Sequence, residues 1–248
     1  MKLLKFFPAL FILGLVLAGC KDSTTRMSGI AEEDSLVNMV EKRITEKKQI
    51  EAFRNKVLPP DFQDKVKDYY PAIRKYAKRY GFDWRLIVVQ ILKESRFKEN
   101  ARSHLGAIGL MQIMPYTASD IRKEMDIEYI ANNPRENIAA GIYHLYKQTK
   151  YFPDADPGNR VLLALGAYNG GVGHIFDAQD IARFLELNPQ TWEAVRECLP
   201  KLVSDDWRLH LEVWELGVPN YGYFYGFNQT VEYVDDIARN YQIIKKMF

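Results

Sequence analysis

Apolar residues recur at helical spacing along most of the chain after Pro60. In the clearest stretch, Asp83 is placed to cap a helix that runs to Ser95 and carries an apolar stripe of Trp84, Ile87, Val88, Ile91 and Leu92. The same reading predicts helices over 61–80, from Asn133–Pro134 onward, over a fully buried 160–168, from Asn188–Pro189 onward and over 231–246. Because alternation of period two is not convincing, the predicted fold class is mainly α, with at most a small β element.

Two segments after Pro60 depart from this pattern. Residues 100–109 join two predicted helices, and residues 217–227 alternate glycines with aromatic residues. Loops carry function more often than the helices that hold them. Before Pro60, residues 31–57 are dominated by Glu, Lys and Arg and predict an exposed amphipathic helix, which Pro59–Pro60 ends. We therefore place the boundary of the main domain, 59–248, at this proline pair.

The N-terminus has the pattern of a secretory signal peptide over residues 1–19. Lys2 and Lys5 precede an apolar run from Phe6 to Leu17, which is short for a membrane span. The following Leu17–Cys20 (Leu-Ala-Gly-Cys) resembles a bacterial lipobox, whose cysteine is lipidated; the alternative is an ordinary small residue near a cleavage site. The prediction is a lipoprotein anchored at Cys20 in the cell envelope, with residues 20–58 as tether and charged helix. By resemblance to proteobacterial lipoprotein sorting, Lys21 rather than Asp after the cysteine favours the outer membrane, facing the periplasm.

Composition and charge narrow the function classes. The net charge is +2, and removal of Lys2 and Lys5 with the signal peptide leaves it near zero, so a nucleic-acid partner is not expected. The 4 histidines are scattered, without the His-Glu-x-x-His spacing of a zinc site, and no cofactor or metal is expected. Cys198 would be the one thiol left after lipidation, which excludes an internal disulfide and favours core packing.

Glu94 stands out because of its place on the helix that follows Asp83. At about 100° per residue it lies about 20° from Ile87, at the edge of the apolar stripe. A carboxyl group that is half withdrawn from water has a raised pKa, as a general acid near neutral pH requires. The alternative is a solvated glutamate paired with Lys93 or Lys98, and this spacing alone favours that alternative.

Four motifs change that balance. They are Glu94–Phe97 with Ser103, the Gly106–Pro115 string GAIGLMQIMP, the Ala164–Gly173 string ALGAYNGGVG and the Thr230–Val234 string TVEYV. In this order they closely resemble the lytic transglycosylases, which share the goose-type lysozyme fold. The resemblance covers residues 61–248, about three quarters of the chain. The string at 80–86, YGFDWRL, is similar to the catalytic module of the membrane-bound lytic murein transglycosylase F family.

The resemblance implies a lysozyme-like helical domain with a substrate groove, and a role for each matching residue. Glu94 would protonate the bond between N-acetylmuramic acid and N-acetylglucosamine in peptidoglycan, then act as base while a 1,6-anhydro end forms. Ser103 and Gln112 would hydrogen-bond the sugar. Met111, Tyr168 and Asn169 would line the cleft, although Met111 and Tyr168 could equally be core residues. Tyr233 would point its hydroxyl toward Glu94, and Ser95 would support the helix.

The motifs supply one carboxylate, whereas most glycosidases use two. Asp83, Glu99 and Asp120 occupy no matching position, and internal attack by the sugar needs no activated water. One departure is Gln229, where the family usually has Glu. Two alternatives stay open: a hydrolase on the same scaffold, and a lipid-anchored peptidoglycan binder without activity.

Overall fold

The computed structural model describes residues 23–248, so the predicted signal peptide and Cys20 lie outside the described part. The helices that it contains are α1 Ser23–Lys56, α2 Phe62–Tyr80, α3 Trp84–Ser95, α4 Pro115–Met125, α5 Pro134–Thr149, α6 Pro157–Gly170, α7 Val172–Phe184, α8 Trp192–Cys198, α9 Trp207–Val213 and α10 Phe227–Met247. Short 3₁₀ helices follow α8 at Leu199–Leu202 and Ser204–Asp206. Within residues 23–248 the predicted mainly helical class is confirmed, and backbone pairing is limited to isolated bridges.

The described residues divide into two units, with the boundary between Lys48 and Gln49. Helix α1 begins in the first unit at Ser23, eight residues before the predicted start at 31, and ends at Lys56, before the proline pair. Its described side chains between 41 and 48 are mostly exposed, as expected for so charged a sequence. None of the helices described is both long and apolar enough to cross a membrane.

Helix α6 lies at the centre of the second unit, because it packs against α5, α7, α8 and α10. Residues Leu163–Ala167 are buried, whereas Val161, Leu162 and Tyr168 are partly exposed. The prediction of complete burial over 160–168 is therefore wrong at both ends of that segment. Gly166 is needed for close packing, since a Cβ there would lie 2.9 Å from the Trp192 ring.

Two helices begin at the predicted capping residues. The side chains of Asp83 and Asn133 accept hydrogen bonds from the first backbone N–H groups of α3 and α5. The prediction that Asn188–Pro189 opens a helix is wrong. Asn188 Oδ1 instead accepts from the backbone N–H of Gln190 in a local turn, and Thr191 caps α8, which begins at Trp192.

Cys198 is fully buried at the end of α8, so the predicted packing role is confirmed. Burial raises the pKa of its thiol to about 11, which keeps it protonated and unreactive at neutral pH.

Candidate active site

Helix α3 carries Glu94 in its last turn. The helix is buried on all sides from Leu86 to Leu92, rather than on one stripe, because α2 and α10 both pack against it. It ends at Ser95 and is capped by Arg96, which adopts the left-handed conformation with φ 51° and donates its backbone N–H to Leu92 O. Glu94 is thus held by a rigid buried segment, close to the negative end of the helix dipole.

The Glu94 carboxyl group is partly exposed and has one hydroxyl donor. Tyr233 OH donates to Glu94 Oε1 over 2.5 Å. Burial raises the pKa of Glu94 to about 8, against the opposing effects of the Tyr233 hydrogen bond and of Lys93. The carboxyl group is therefore protonated at neutral pH and can serve as a proton donor.

Tyr233 lies on α10 and is 3% exposed. Burial and the nearby Glu94 raise its pKa far above the ordinary value, so its hydroxyl stays neutral and keeps its proton. The hydroxyl also accepts a hydrogen bond from Gln90 Nε2 over 3.2 Å. Sequence reasoning missed Gln90, although a polar residue four positions before Glu94 in an otherwise apolar run was a usable signal.

Ser95 is buried, and its hydroxyl donates to Ile91 O one turn earlier, over 3.2 Å. This contact lies within α3, and the supporting role of Ser95 stays a prediction. The residue that departs from the family pattern, Gln229, is exposed near the start of α10.

Ser103 and Gln112 lie in the non-helical segment between α3 and α4. Ser103 Oγ accepts from the backbone N–H of Ala107 over 3.0 Å. Gln112 has φ 47°, and its Nε2 donates to Ala101 O at 3.2 Å and to Gly109 O at 2.9 Å. Both side chains therefore help to fold the segment that carries them.

Met111 has a fully buried side chain. It packs so closely against α5 that a Cβ on Gly141 would lie 2.4 Å from Met111 Cβ. Its backbone N–H donates to Asn137 Oδ1 at 2.8 Å, and its carbonyl accepts from Tyr168 OH at 2.7 Å. The Met111 side chain is therefore a core residue, as the alternative interpretation had it. Only the backbone carbonyl of Met111 contacts Tyr168.

Asn137, on α5, was not singled out from the sequence. It is 1% exposed, and its Nδ2 donates to Ile108 O and Ile130 O, each at 3.1 Å. A Cβ on Gly109 would lie 2.4 Å from this side chain. One buried amide therefore fixes the segment that holds Met111 and Gln112.

Tyr168 and Asn169 lie at the end of α6. Asn169 Oδ1 accepts from Thr230 Oγ1 at 2.9 Å, which ties α6 to the first turn of α10. Gly170 allows this approach, since a Cβ there would lie 2.7 Å from Thr230 Oγ1. Burial, and to a lesser extent the charge of Glu94, raises the pKa of Tyr168 well above its ordinary value, so its hydroxyl keeps its proton.

The aromatic segment predicted as a functional loop, 217–227, runs into α10. Asp177 on α7 is fully buried and accepts from the backbone N–H groups of Asn220 and Tyr221, at 3.1 and 2.9 Å. Burial raises the pKa of Asp177 to about 6. Asp177 thus anchors the segment at Asn220 and Tyr221, and the Phe224 backbone N–H anchors it again at Leu202 O, while Tyr223 and Tyr225 are exposed.

Nearby carboxylates have other partners. Asp83 accepts from Arg85 and from Tyr241 OH, and Glu99 accepts from Tyr69 OH and lies 3.7 Å from Lys65 Nζ. Among residues 23–248, no group of three or more His, Cys, Asp or Glu side chains could hold a metal ion.

Comparisons with known proteins match this part of the chain. Residues 71–189 match the family model described as Transglycosylase SLT domain. Membrane-bound lytic murein transglycosylase F of Desulfosudis oleivorans is 37% identical over 181 residues, 72% of this chain and 36% of that protein. The protein of the same name from Shewanella pealeana is 32% identical over 182 residues, 73% of this chain and 35% of its own length.

A solved structure of an inactive mutant of the lytic transglycosylase Slt from Pseudomonas aeruginosa has 26% identity and a TM-score of 0.43, covering 70% of this chain and 24% of its own. The chain spans about a third of the length of the curated relatives that it matches. The segment that carries Glu94, Gln112 and Tyr168 lies inside the matched residues, so this part of the chain, 71–189, is a transglycosylase SLT domain.

Proposed function

We propose that this chain is a lytic transglycosylase that cleaves the β-1,4 bond between N-acetylmuramic acid and N-acetylglucosamine in peptidoglycan and leaves 1,6-anhydro ends. The SLT domain and the lytic murein transglycosylases among its relatives support the substrate class. The observation that carries the proposal is the state of Glu94: its carboxyl group has a pKa of about 8 and accepts a hydrogen bond from the Tyr233 hydroxyl.

In the first step, Glu94 gives its proton to the glycosidic oxygen. The bond between that oxygen and the anomeric carbon of the muramyl sugar breaks, and the electron pair stays with the departing oxygen. The sugar becomes cation-like, while Glu94 becomes a carboxylate that accepts the Tyr233 hydrogen bond. A raised pKa suits this step, because the acid is still protonated at neutral pH.

In the second step, the Glu94 carboxylate removes the proton from the 6-hydroxyl of the same sugar. That oxygen attacks the anomeric carbon and closes the anhydro ring, and Glu94 is protonated again. Internal attack avoids the entropic cost of bringing in a second reactant. It also needs no second carboxylate. This agrees with the structure, in which Asp83 is hydrogen-bonded to Arg85 and Glu99 to Tyr69.

Ser103 and Gln112 are proposed as sugar contacts. In its bond with Ala107 the Ser103 hydroxyl is the acceptor, so that bond leaves its own proton to donate to an N-acetyl carbonyl. Gln112 uses Nε2 in the segment, which leaves the oxygen as the part of its amide suited to a sugar hydroxyl.

Tyr168 and Asn169 are proposed to line the cleft beside Glu94. Because the Met111 side chain is buried, its contribution is to hold Tyr168 through its backbone carbonyl.

The test is digestion of purified sacculi followed by mass spectrometry of the muropeptides. We expect anhydro ends from the parent protein, and a loss of turnover of at least about a hundredfold in Glu94→Gln. Glu99→Gln is the matched control, since this carboxyl group is close in sequence and pairs with Tyr69 and Lys65 instead. Reducing ends would make the chain a hydrolase. Binding to sacculi without any product would make it a peptidoglycan-binding protein.

We also propose that the chain is a lipoprotein of the cell envelope, anchored at Cys20 and facing the periplasm from the outer membrane. The lipobox-like Leu17–Cys20 and the membrane-bound relatives support this location. Labelling of cells with a palmitate analogue should mark the full chain, and Cys20→Ala should lose the label. The buried second cysteine gives a matched control, because Cys198→Ala should keep it. A label retained in Cys20→Ala would contradict the anchor.

A further inference from the structure

Gln90 is a fully buried amide on α3, one helical turn before Glu94. Its Nε2 donates to Tyr233 OH over 3.2 Å, and that hydroxyl donates to Glu94 Oε1 over 2.5 Å. Gln90 Oε1 is buried without a hydrogen-bond partner. The amide therefore uses its donor on Tyr233 and leaves its acceptor unsatisfied, which lowers the stability of the fold.

A tyrosine hydroxyl has one proton, and its direction decides what Glu94 receives. If the neighbouring amide presented an oxygen to Tyr233, the hydroxyl proton would be drawn toward the amide and away from Glu94. Because Gln90 presents an N–H group, the Tyr233 oxygen acts as acceptor on that side, and its proton is directed at Glu94. A donor of this kind also strengthens the hydrogen bond that follows it in the chain.

We propose that Gln90 is a positioning residue that keeps the Tyr233 hydroxyl a donor to Glu94, and so stabilises the carboxylate that forms when Glu94 gives up its proton. The inference rests on the proposed function, in which Glu94 alternates between acid and base. The carboxylate form needs this support, because burial opposes charge at Glu94 and Tyr233 is the hydroxyl that donates to it.

The other groups that interact electrostatically with Glu94 have hydrogen-bond partners of their own. Tyr168 on α6 donates its hydroxyl to Met111 O. Lys93, on the same helix as Glu94, pairs with Asp236 on α10 over 2.7 Å. Neither of these groups bonds to the Tyr233 hydroxyl, whereas Gln90 donates to it.

The decisive variant is Gln90→Met, which has similar length and removes both the donor and the unsatisfied oxygen. Loss of the donor weakens the bond from Tyr233 to the carboxylate, so the pKa of Glu94 should rise. Since the acid form starts the reaction, the alkaline limb of the kcat/KM profile should move roughly 0.5 pH unit upward. The thermal unfolding midpoint should stay unchanged or rise, because an unsatisfied buried oxygen is removed.

Two further variants separate positioning from packing. Gln179→Met is the matched control, since Gln179, on α7, is also a buried glutamine but donates to Pro189 O. This variant should be less stable than the parent, and the alkaline limb of its kcat/KM profile should not move. In a Tyr233→Phe background, Gln90→Met should cause no further movement of the limb, because the hydroxyl through which it acts is gone. An unchanged or downward limb in Gln90→Met, or an equal shift in the Phe background, would overturn the proposal.

A second readout keeps this test separate from the proposed function. ¹³C NMR of glutamate carboxyl groups follows the titration of Glu94, identified as the signal that disappears in Glu94→Gln. If the parent protein releases no product from sacculi, the proposed function fails, yet the NMR titration still decides whether Gln90→Met raises the pKa of Glu94. The same pKa in Gln90→Met as in the parent would refute the role of Gln90.

Discussion

The two ends of helix α3 carry carboxyl groups that make similar contacts, but whose pKa values are shifted in opposite directions. Asp83 caps the first turn and Glu94 lies in the last. Each accepts a hydrogen bond from a tyrosine hydroxyl on α10. Tyr241 OH donates to Asp83 Oδ2 over 2.8 Å, and Tyr233 OH donates to Glu94 Oε1 over 2.5 Å. Yet the pKa of Asp83 is lowered to about 2, while that of Glu94 is raised to about 8.

The difference comes from the other neighbours of each carboxyl group. The Arg85 guanidinium and backbone N–H both donate to Asp83, which outweighs its partial burial. The positive end of the helix dipole also favours its charge. At the other end, Glu94 has burial as its largest influence and faces the negative end of the dipole. A tyrosine contact alone therefore does not make a carboxyl group either a cap or an acid.

Replacing Glu94 should produce the largest change in stability. In the folded protein its pKa is about 8, against an ordinary value of 4.5, so the folded state holds a proton that the unfolded chain releases between these pH values. The free energy of unfolding consequently falls as pH rises through this window. Glu94→Gln removes that dependence and should be more stable than the parent at pH 7 by up to about 3 kcal/mol, with little difference below pH 4.5.

Urea unfolding of both proteins at a series of pH values measures this difference. Asp83→Asn is the opposite control. Its carboxylate stabilises the fold above the ordinary value of 3.8, and that stability is lost as pH falls toward 2, so the variant should be weaker by about 2 kcal/mol throughout pH 5–8. A Glu94→Gln curve parallel to that of the parent would contradict the raised pKa.

Local rules explain what the sequence predicted correctly at this site. Capping by Asp83, the end of α3 at Ser95 and the partial burial of Glu94 depend on residues within about three turns of one helix. The resemblance to the lytic transglycosylases added the approach of Tyr233 to Glu94, which is 139 residues away in sequence. Propensity and spacing alone contain no information about such a pair.

The missed residues depend on long-range partners. Gln90 looked like one polar residue in an apolar run, and its partner lies 143 residues further along the chain. Asn137 looked like an ordinary helical residue, although it satisfies three backbone groups around Met111. The predicted start of α8 was wrong for a local reason. Asn188 and Thr191 are both good capping residues, and the sequence pattern does not distinguish between them.

The smallest effect is expected from Tyr241→Phe, which tests whether each tyrosine acts only on its own end of α3. The variant removes one donor to Asp83, which keeps its bonds with Arg85, so about 1 kcal/mol of stability should be lost at pH 7. That loss should shrink as pH falls toward 2, where Asp83 gains its proton. The alkaline limb of the activity profile should not move.

Tyr233→Phe should instead move this limb. Loss of the bond from Tyr233 to the carboxylate raises the pKa of Glu94, so the limb should move upward by roughly one pH unit. If Tyr241→Phe moved the limb as far as Tyr233→Phe, the contrast between the two ends would be a property of how α3 packs on α10, and not of the groups that touch each carboxylate.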